Sequence, residues 1–391
     1  MSNVHRISQK AANVPPSGIR RFFDIAATMK DVISLGIGEP DFTTPKHILD
    51  AGCQALMRGE THYTSNSGIL ELRQAISSQY EKLYGVTYDP EKELVITVGG
   101  SEAIQVAMLA LIDPGDEVIV VEPSFVAYKP TVVFAGGTPV VVETRVENDF
   151  QVTAADIEKK ITPKTRMLFI GYPNNPTGAV MSRERLMELA ELAKKHDLLV
   201  MSDELYDRLV YGTHQHVCLA SLPGMKERTI LIGGFSKNYA MTGWRVGFIG
   251  ANPELLSAIR KVHQYVIMSA PTMSQIAALE AIQHGEMSVK EMHDEYDKRR
   301  QLIVSGLNRI GLPTFEPKGA FYCFPDIRPT GLTSEEFSEK LIYEEHVAAV
   351  PGTAFGACGE GFIRMAYANS TQNIQEALNR IERFAKKHIK R

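Results

Sequence analysis

Between Leu94 and Ala251 short apolar runs alternate with segments of helical period. This rhythm restricts the fold more than any other feature of the 391-residue chain. The runs fall at 94–98, 117–121, 139–142, 166–170, 198–201, 229–232 and 246–250, and between them Leu186, Leu189, Ala190 and Ala193 recur at the spacing of one helix face. Strands that take turns with helices predict an α/β fold, a largely parallel seven-stranded sheet with helices on both faces. Ligands of such sheets sit beyond the carboxyl ends of the strands. Gly99, Asn174, Asn175, Asp203 and Lys237 each fall just after a predicted strand.

The rest of the chain divides around this block. Residues 1–45 read as an N-terminal arm and part of a small domain, 46–288 as the large domain, and 289–391 as a long linking helix (289–309) and a smaller α+β domain. In that tail, strands are expected at 320–324, 347–350 and 362–365, and a helix at 335–344. The closing helix sets Ile374, Ala377, Leu378, Ile381 and Phe384 on one face. Asp294, Glu295, Asp297 and the lysine–arginine run after them are expected on the exposed face of the long helix. Paired Arg20 and Arg21 can open an export signal, but Asp24, Lys30 and Asp31 interrupt the apolar stretch that should follow. A net charge of −4 without a basic block argues against nucleic acid as a partner, and no apolar run is long enough to span a membrane. Cys53, Cys218, Cys323 and Cys358 are scattered, which fits a reducing cytoplasm and suggests no metal site. His214 and His216 find no third ligand and are expected in a solvated loop.

The chemistry concentrates at GGFSKNYAMTGWRVGFIG, residues 233–250. Phe235, Tyr239, Met241 and Trp244 suggest that Lys237 is partly buried, which lowers its pKa and frees a neutral amine for Schiff-base formation with a carbonyl. Ser236 and Arg245 add a hydroxyl and a fixed cation suited to a phosphate. Together they suggest an aldehyde cofactor that carries a phosphate, pyridoxal 5'-phosphate. By itself the stretch is equally a strand–turn–strand with an incidental lysine. Gly99 to Ala103 ends a strand and opens a helix, whose free N–H groups can cradle a phosphate, although such a turn is usually only a turn. Asp203, at a buried strand end, and Arg364, in an apolar strand, each call for a partner of opposite charge.

Ser236-Lys237 followed by Met241-Thr242-Gly243-Trp244-Arg245-Val246-Gly247 resembles the lysine signature of the class I/II aminotransferases, pyridoxal-phosphate enzymes of fold type I. The similarity runs from Gly18 to the last helix. It is closest to the branch with bacterial and archaeal aspartate, aromatic and alanine aminotransferases. The resemblance implies that Lys237 carries the cofactor, and that the backbone of Ser101, Glu102 and Ala103 meets its phosphate together with Ser236 and Arg245. It implies Phe125 stacked on the ring (Tyr128 as second choice), Asn175 and Tyr206 on the phenolic oxygen, and Asp203 on the ring nitrogen. Arg364 would hold the α-carboxylate of the substrate, which Gly38, Asn175 and Ile19 also approach. Tyr63 would reach the phosphate of a neighbouring subunit, so a homodimer with shared active sites follows. Lys237, Asp203 and Tyr206 are the catalytic residues so implied.

The implied activity is transamination in two half-reactions, from an L-amino acid to a 2-oxo acid such as 2-oxoglutarate. A C–S β-lyase on the same scaffold is the nearest alternative. A pyridoxal-phosphate-sensing regulator would need a DNA-binding segment ahead of Gly18, where few residues stand. Dedicated aspartate enzymes of this branch can carry a lysine at the position of Ser101. The neutral hydroxyl there favours alanine or an aromatic amino acid, unless Arg20 or Arg21 of the arm substitutes for that lysine.

Overall fold

In a computed structural model, which describes residues 6–16, 18, 25 and 28–389, the alternating block forms one seven-stranded sheet. Its strands are β1 Leu94–Thr97, β2 Glu117–Glu122, β3 Thr138–Glu143, β4 Thr165–Gly171, β5 Leu199–Asp203, β6 Thr229–Gly234 and β7 Gly247–Gly250. They lie in the order β1-β7-β6-β5-β4-β2-β3. Neighbours from β6 to β3 run parallel, and β7 lies antiparallel to both β6 and β1.

The two-residue period of the strands sorts their side chains. Val118, Val120, Phe169, Met201 and Ile232 share one cluster with helices Gly99–Leu111 and Pro253–Val266. Ile119, Val121, Leu168, Ile170 and Val200 face the other way and pack on helix Arg183–Lys195 through Leu186, Leu189 and Ala193. With both faces covered, the central parallel strands are apolar along most of their length. Helix starts follow local chemistry: Ser182 accepts from the Arg185 N–H, and Asn252 accepts from Leu255 just before Pro253.

A second, smaller α+β unit holds a three-stranded antiparallel sheet ordered Val350–Pro351, Ile363–Ala366, Tyr322–Cys323. Ile33–Ser34 pairs in parallel with Val347–Ala348 beside it. Helices Ser334–Glu345 and Thr371–His388 cover it, the latter burying Ile374, Ala377, Leu378, Ile381 and Phe384. The long helix, Glu286–Ile310, departs from the expected exposed face at two residues, because Arg299 and Arg300 are buried. Nη1 of Arg299 donates to both oxygens of Asp41, at 2.8 and 2.9 Å, and its Nε meets Glu295, while Arg300 pairs with Asp297 and Glu316. Charge in the sequence marked these residues as solvated; their partners lie up to 258 residues away. The side chain of His216 is likewise largely covered rather than solvated, its Nε2 2.7 Å from Glu204.

Candidate active site

Lys237 stands on the turn after β6. Phe235, Tyr239 and Met241 are buried beneath it, and Trp244 reaches back to Thr44 with its indole N–H. Its Nζ donates to the carbonyl of Gly38 at 2.6 Å. Burial, then the positive charges of Arg364 and Arg245, pull its pKa down from 10.5 to about 8. Arg245 follows in the left-handed region at φ 54° and lies against Gly99, the first residue of the helix after β1. A Cβ on Gly99, whose φ is +75°, would stand 2.5 Å from Nη2 of Arg245, so glycine alone admits the guanidinium there. That helix opens without a side-chain cap, which leaves first-turn N–H groups without a capping side chain, and its residues Gly100 and Ser101 line the same cavity as Ser236 and Arg245.

At the end of β5, Asp203 is buried. It accepts the Tyr128 hydroxyl at 2.7 Å and the Leu205 N–H at 3.2 Å. Burial pushes its carboxyl from 3.8 up to about 6, against these hydrogen bonds. Tyr128, which also lines the cavity, braces Asp203 through its hydroxyl and is itself stacked on Phe169. Phe125 remains on the cavity wall, edge-on to Tyr128.

Arg364, from strand Ile363–Ala366, is 2% exposed. Nη1 donates to Asn175 Oδ1 at 3.0 Å and Nη2 to the Gly36 carbonyl at 2.6 Å, while Nε has no partner among the described residues. The guanidinium lies 4.6 Å from the Tyr322 ring centre and 4.8 Å from that of Phe355. Among the described residues no carboxylate pairs with this buried cation. Asn174 is consumed by its own turn, accepting from Thr177 and donating to Gly171 and Pro123, so Asn175 is the asparagine that faces inward.

These groups meet in one cavity of about 300 Å³. Gly38, Ser101, Phe125, Asn175 and Asp203 line it, and so do Tyr206, Ser236, Lys237, Arg245 and Arg364. The side chain of Glu102 turns away to Val98 N, and Ala103 is buried within its helix. Tyr63 lies outside the cavity, 82% exposed. Ile19, Arg20, Arg21 and Phe22 lie outside the described residues. Sequence reasoning missed Tyr322, whose hydroxyl is 2.8 Å from that of Tyr206 and would be 2.8 Å from a Cβ on Gly38. Only its place in an aromatic strand, beside Phe321, hinted at it. Glu39, accepting from Thr242 at 3.1 Å, was also missed.

A pyridoxal phosphate fits this donor set on several counts. A lysine with a lowered pKa shares the cavity with a buried carboxylate that forms no ion pair among the described residues, and with a helix start, an arginine and a serine. The buried, anion-free Arg364 lies across the same space. A volume near 300 Å³ is at the small end for cofactor and ligand sites.

Comparison with known proteins agrees. The family model "Aminotransferase class I and II" matches residues 30–381. An aspartate aminotransferase of Pyrococcus abyssi is 47% identical over 379 residues, covering 96% of this chain and 97% of the relative. An aromatic-amino-acid aminotransferase of Thermococcus litoralis is 45% identical over 382 residues, covering 97% and 98%. The crystal structure of an aromatic aminotransferase from Pyrococcus horikoshii superposes with a TM-score of 0.90 at 45% identity, covering 94% of this chain and 99% of that one.

Proposed function

The chain belongs to the class I and II aminotransferases, enzymes dependent on pyridoxal phosphate, and we propose that it takes the α-amino group of a neutral L-amino acid, alanine or an aromatic one, and passes it to a 2-oxo acid, 2-oxoglutarate. When bound, the cofactor supplies a carbonyl for the amine and a protonated ring that accepts electrons from Cα. Lys237 holds it there, and Ser236, Arg245 and the N–H groups of Ser101, Glu102 and Ala103 hold its phosphate. Asp203, a buried carboxylate that forms no ion pair among the described residues, keeps the ring nitrogen protonated, and Tyr128 braces it. Phe125 covers the ring face and excludes water. Asn175 and Tyr206 serve the phenolic oxygen.

Arg364 fixes the α-carboxylate and so aims the Cα–H bond. Lys237, freed by the incoming amine, takes the Cα proton as general base and acts as general acid on the return. Burial and the neighbouring guanidinium of Arg364 hold the amine of Lys237 below its ordinary pKa, which favours the neutral, basic form.

The observation that carries the reading is Arg364: a buried guanidinium whose Nε and positive charge meet no acceptor or anion among the described residues, on the cavity that Lys237 enters. The preference for a neutral side chain rests on charge. The lining cations are Lys237, Arg245 and Arg364, each already committed, and Ser101 is neutral, so the described residues leave nothing positive for a distal carboxylate. An unmatched carboxylate forgoes about 1.5–3 kcal/mol. The test is kcat/KM for alanine, phenylalanine and aspartate with 2-oxoglutarate. Preference for alanine or phenylalanine is expected, and a preference of about tenfold or more for aspartate overturns it.

The working unit in this reading is a homodimer in which Tyr63 reaches the partner's phosphate. Tyr63 is 82% exposed, and its loop is tied to the apolar segment 265–268 by Asn66 on the Met268 carbonyl. Tyr265, Val266, Ile267 and Met268 are themselves exposed, an apolar patch that calls for a covering surface. No helix among the described residues is long and apolar enough to cross a membrane. A cytoplasmic location is part of the same proposal.

A further inference from the structure

The helix that opens at Gly99 has no side-chain cap, yet its corner with β1 is held. Glu102 reaches back from the first turn, and its Oε2 accepts the Val98 N–H at 2.5 Å. The other oxygen, Oε1, lies 2.6 Å from Nδ1 of His263. His263 belongs to the neighbouring helix Pro253–Val266 and is fully buried. Its Nε2 has no partner among the described residues.

An imidazole sealed in a core with one nitrogen unpaired is costly, and an apolar residue in its place would avoid that cost. What the histidine contributes is the other contact: a carboxylate only accepts, so Nδ1–H donates to Glu102. The donation draws the Glu102 carboxylate towards the helix pair and away from the cavity. From there Glu102 fixes the Val98 N–H and hence the angle at which the first turn leaves the sheet.

We infer that His263 is a positioning residue for the phosphate end of the site. Resting on the reading that the cofactor's phosphate lies at this helix start, the inference is that His263, through Glu102 and Val98, aims the N–H groups of Ser101, Glu102 and Ala103. It touches neither cofactor nor substrate. A first turn left to relax would misdirect those donors, and hydrogen bonds weaken steeply with angle.

The experiment compares the dissociation constants of the apoenzyme for pyridoxal phosphate and for pyridoxal, which lacks the phosphate. The ratio of the pyridoxal constant to the pyridoxal phosphate constant isolates what the phosphate contributes. His263→Leu is expected to lower the ratio about tenfold or more while affinity for pyridoxal stays within about threefold. His263→Asn, which keeps a donor near the place of Nδ1, restores the ratio to within about threefold of wild type. If leucine prevents folding, His263→Met carries the same expectation, because its unbranched side chain adapts to the slot. A leucine or methionine variant with the wild-type ratio, or one that loses pyridoxal and pyridoxal phosphate affinity equally, overturns the inference and leaves His263 a packing residue. Arg245→Ala is the control for the underlying reading. If it too keeps the wild-type ratio, the phosphate is not bound here, and the reading fails together with the inference. If only Arg245→Ala lowers the ratio, the inference alone fails.

Discussion

Replacing Arg364 by lysine keeps a positive charge on the cavity wall and removes the fork. Arginine offers five N–H donors. Two are spent on Asn175 Oδ1 and the Gly36 carbonyl, so three remain, Nε–H among them, for a planar anion. An α-carboxylate seated there would accept two charge-assisted bonds in parallel. Lysine presents a point charge on a differently shaped stem and would keep one of the two at best. One such bond is worth about 1.5–3 kcal/mol, so kcat/KM should fall about 10- to 150-fold. Arg364→Leu loses both bonds and the charge, and should fall about a hundredfold further. The assay is the half-reaction with L-alanine or L-phenylalanine, run beside a simple alkylamine that has no carboxylate. The amine's slow reaction should be unchanged by either substitution, because Arg364 makes no contact with it. A lysine variant within about threefold of wild type, or an equal loss for the amine, would refute the assignment of the carboxylate to Arg364.

Lys237→Ala should retain cofactor through the phosphate contacts and Asp203 yet lose turnover by several orders of magnitude; near-normal transamination would remove the lysine from the mechanism. Asp203→Asn should slow the half-reaction far more than it weakens cofactor binding, and an unchanged rate would make Asp203 structural. Asp203 also predicts a pH dependence in the cofactor-free protein. Its carboxyl is raised from 3.8 to about 6, so the folded state binds the proton more tightly than the unfolded state does. The stability this gives is present below pH 3.8 and lost as pH rises through about 6, a loss of about 3 kcal/mol. The Tm of cofactor-free Asp203→Asn should therefore gain on wild type between pH 4.5 and 8, and a gap that does not widen contradicts the assignment. Sedimentation at working concentration should give a dimer, and a fully active monomer would contradict the shared site.

The sheet was legible because its strands are short apolar runs with both faces buried, a pattern that needs no knowledge of partners. Asp203 and Lys237 were legible for a related reason: strand ends in such a sheet are where ligands sit, and each residue is costly to leave there without one. Side-chain meetings across the chain were not legible. Tyr128 and Asp203 are 75 residues apart, and sequence shows an aromatic ring but not where its hydroxyl goes. Tyr322 enters the site only because strand Tyr322–Cys323 pairs with the strand of Arg364. Arg299, Arg300 and His216 looked solvated because charge is a local property, whereas Asp41, Glu316 and Glu204 are brought to them by the fold.

The most direct test of transamination through Lys237 is a single half-reaction without acceptor. Purified protein loaded with pyridoxal phosphate is mixed with excess L-alanine, L-phenylalanine or L-aspartate, and 2-oxo acid and ammonia are measured together. The account predicts a burst of 2-oxo acid that stops at one equivalent per site, with no ammonia, resumes on addition of 2-oxoglutarate, and is absent in Lys237→Ala. Continuous release of 2-oxo acid with ammonia, or a burst that survives the loss of Lys237, would contradict it.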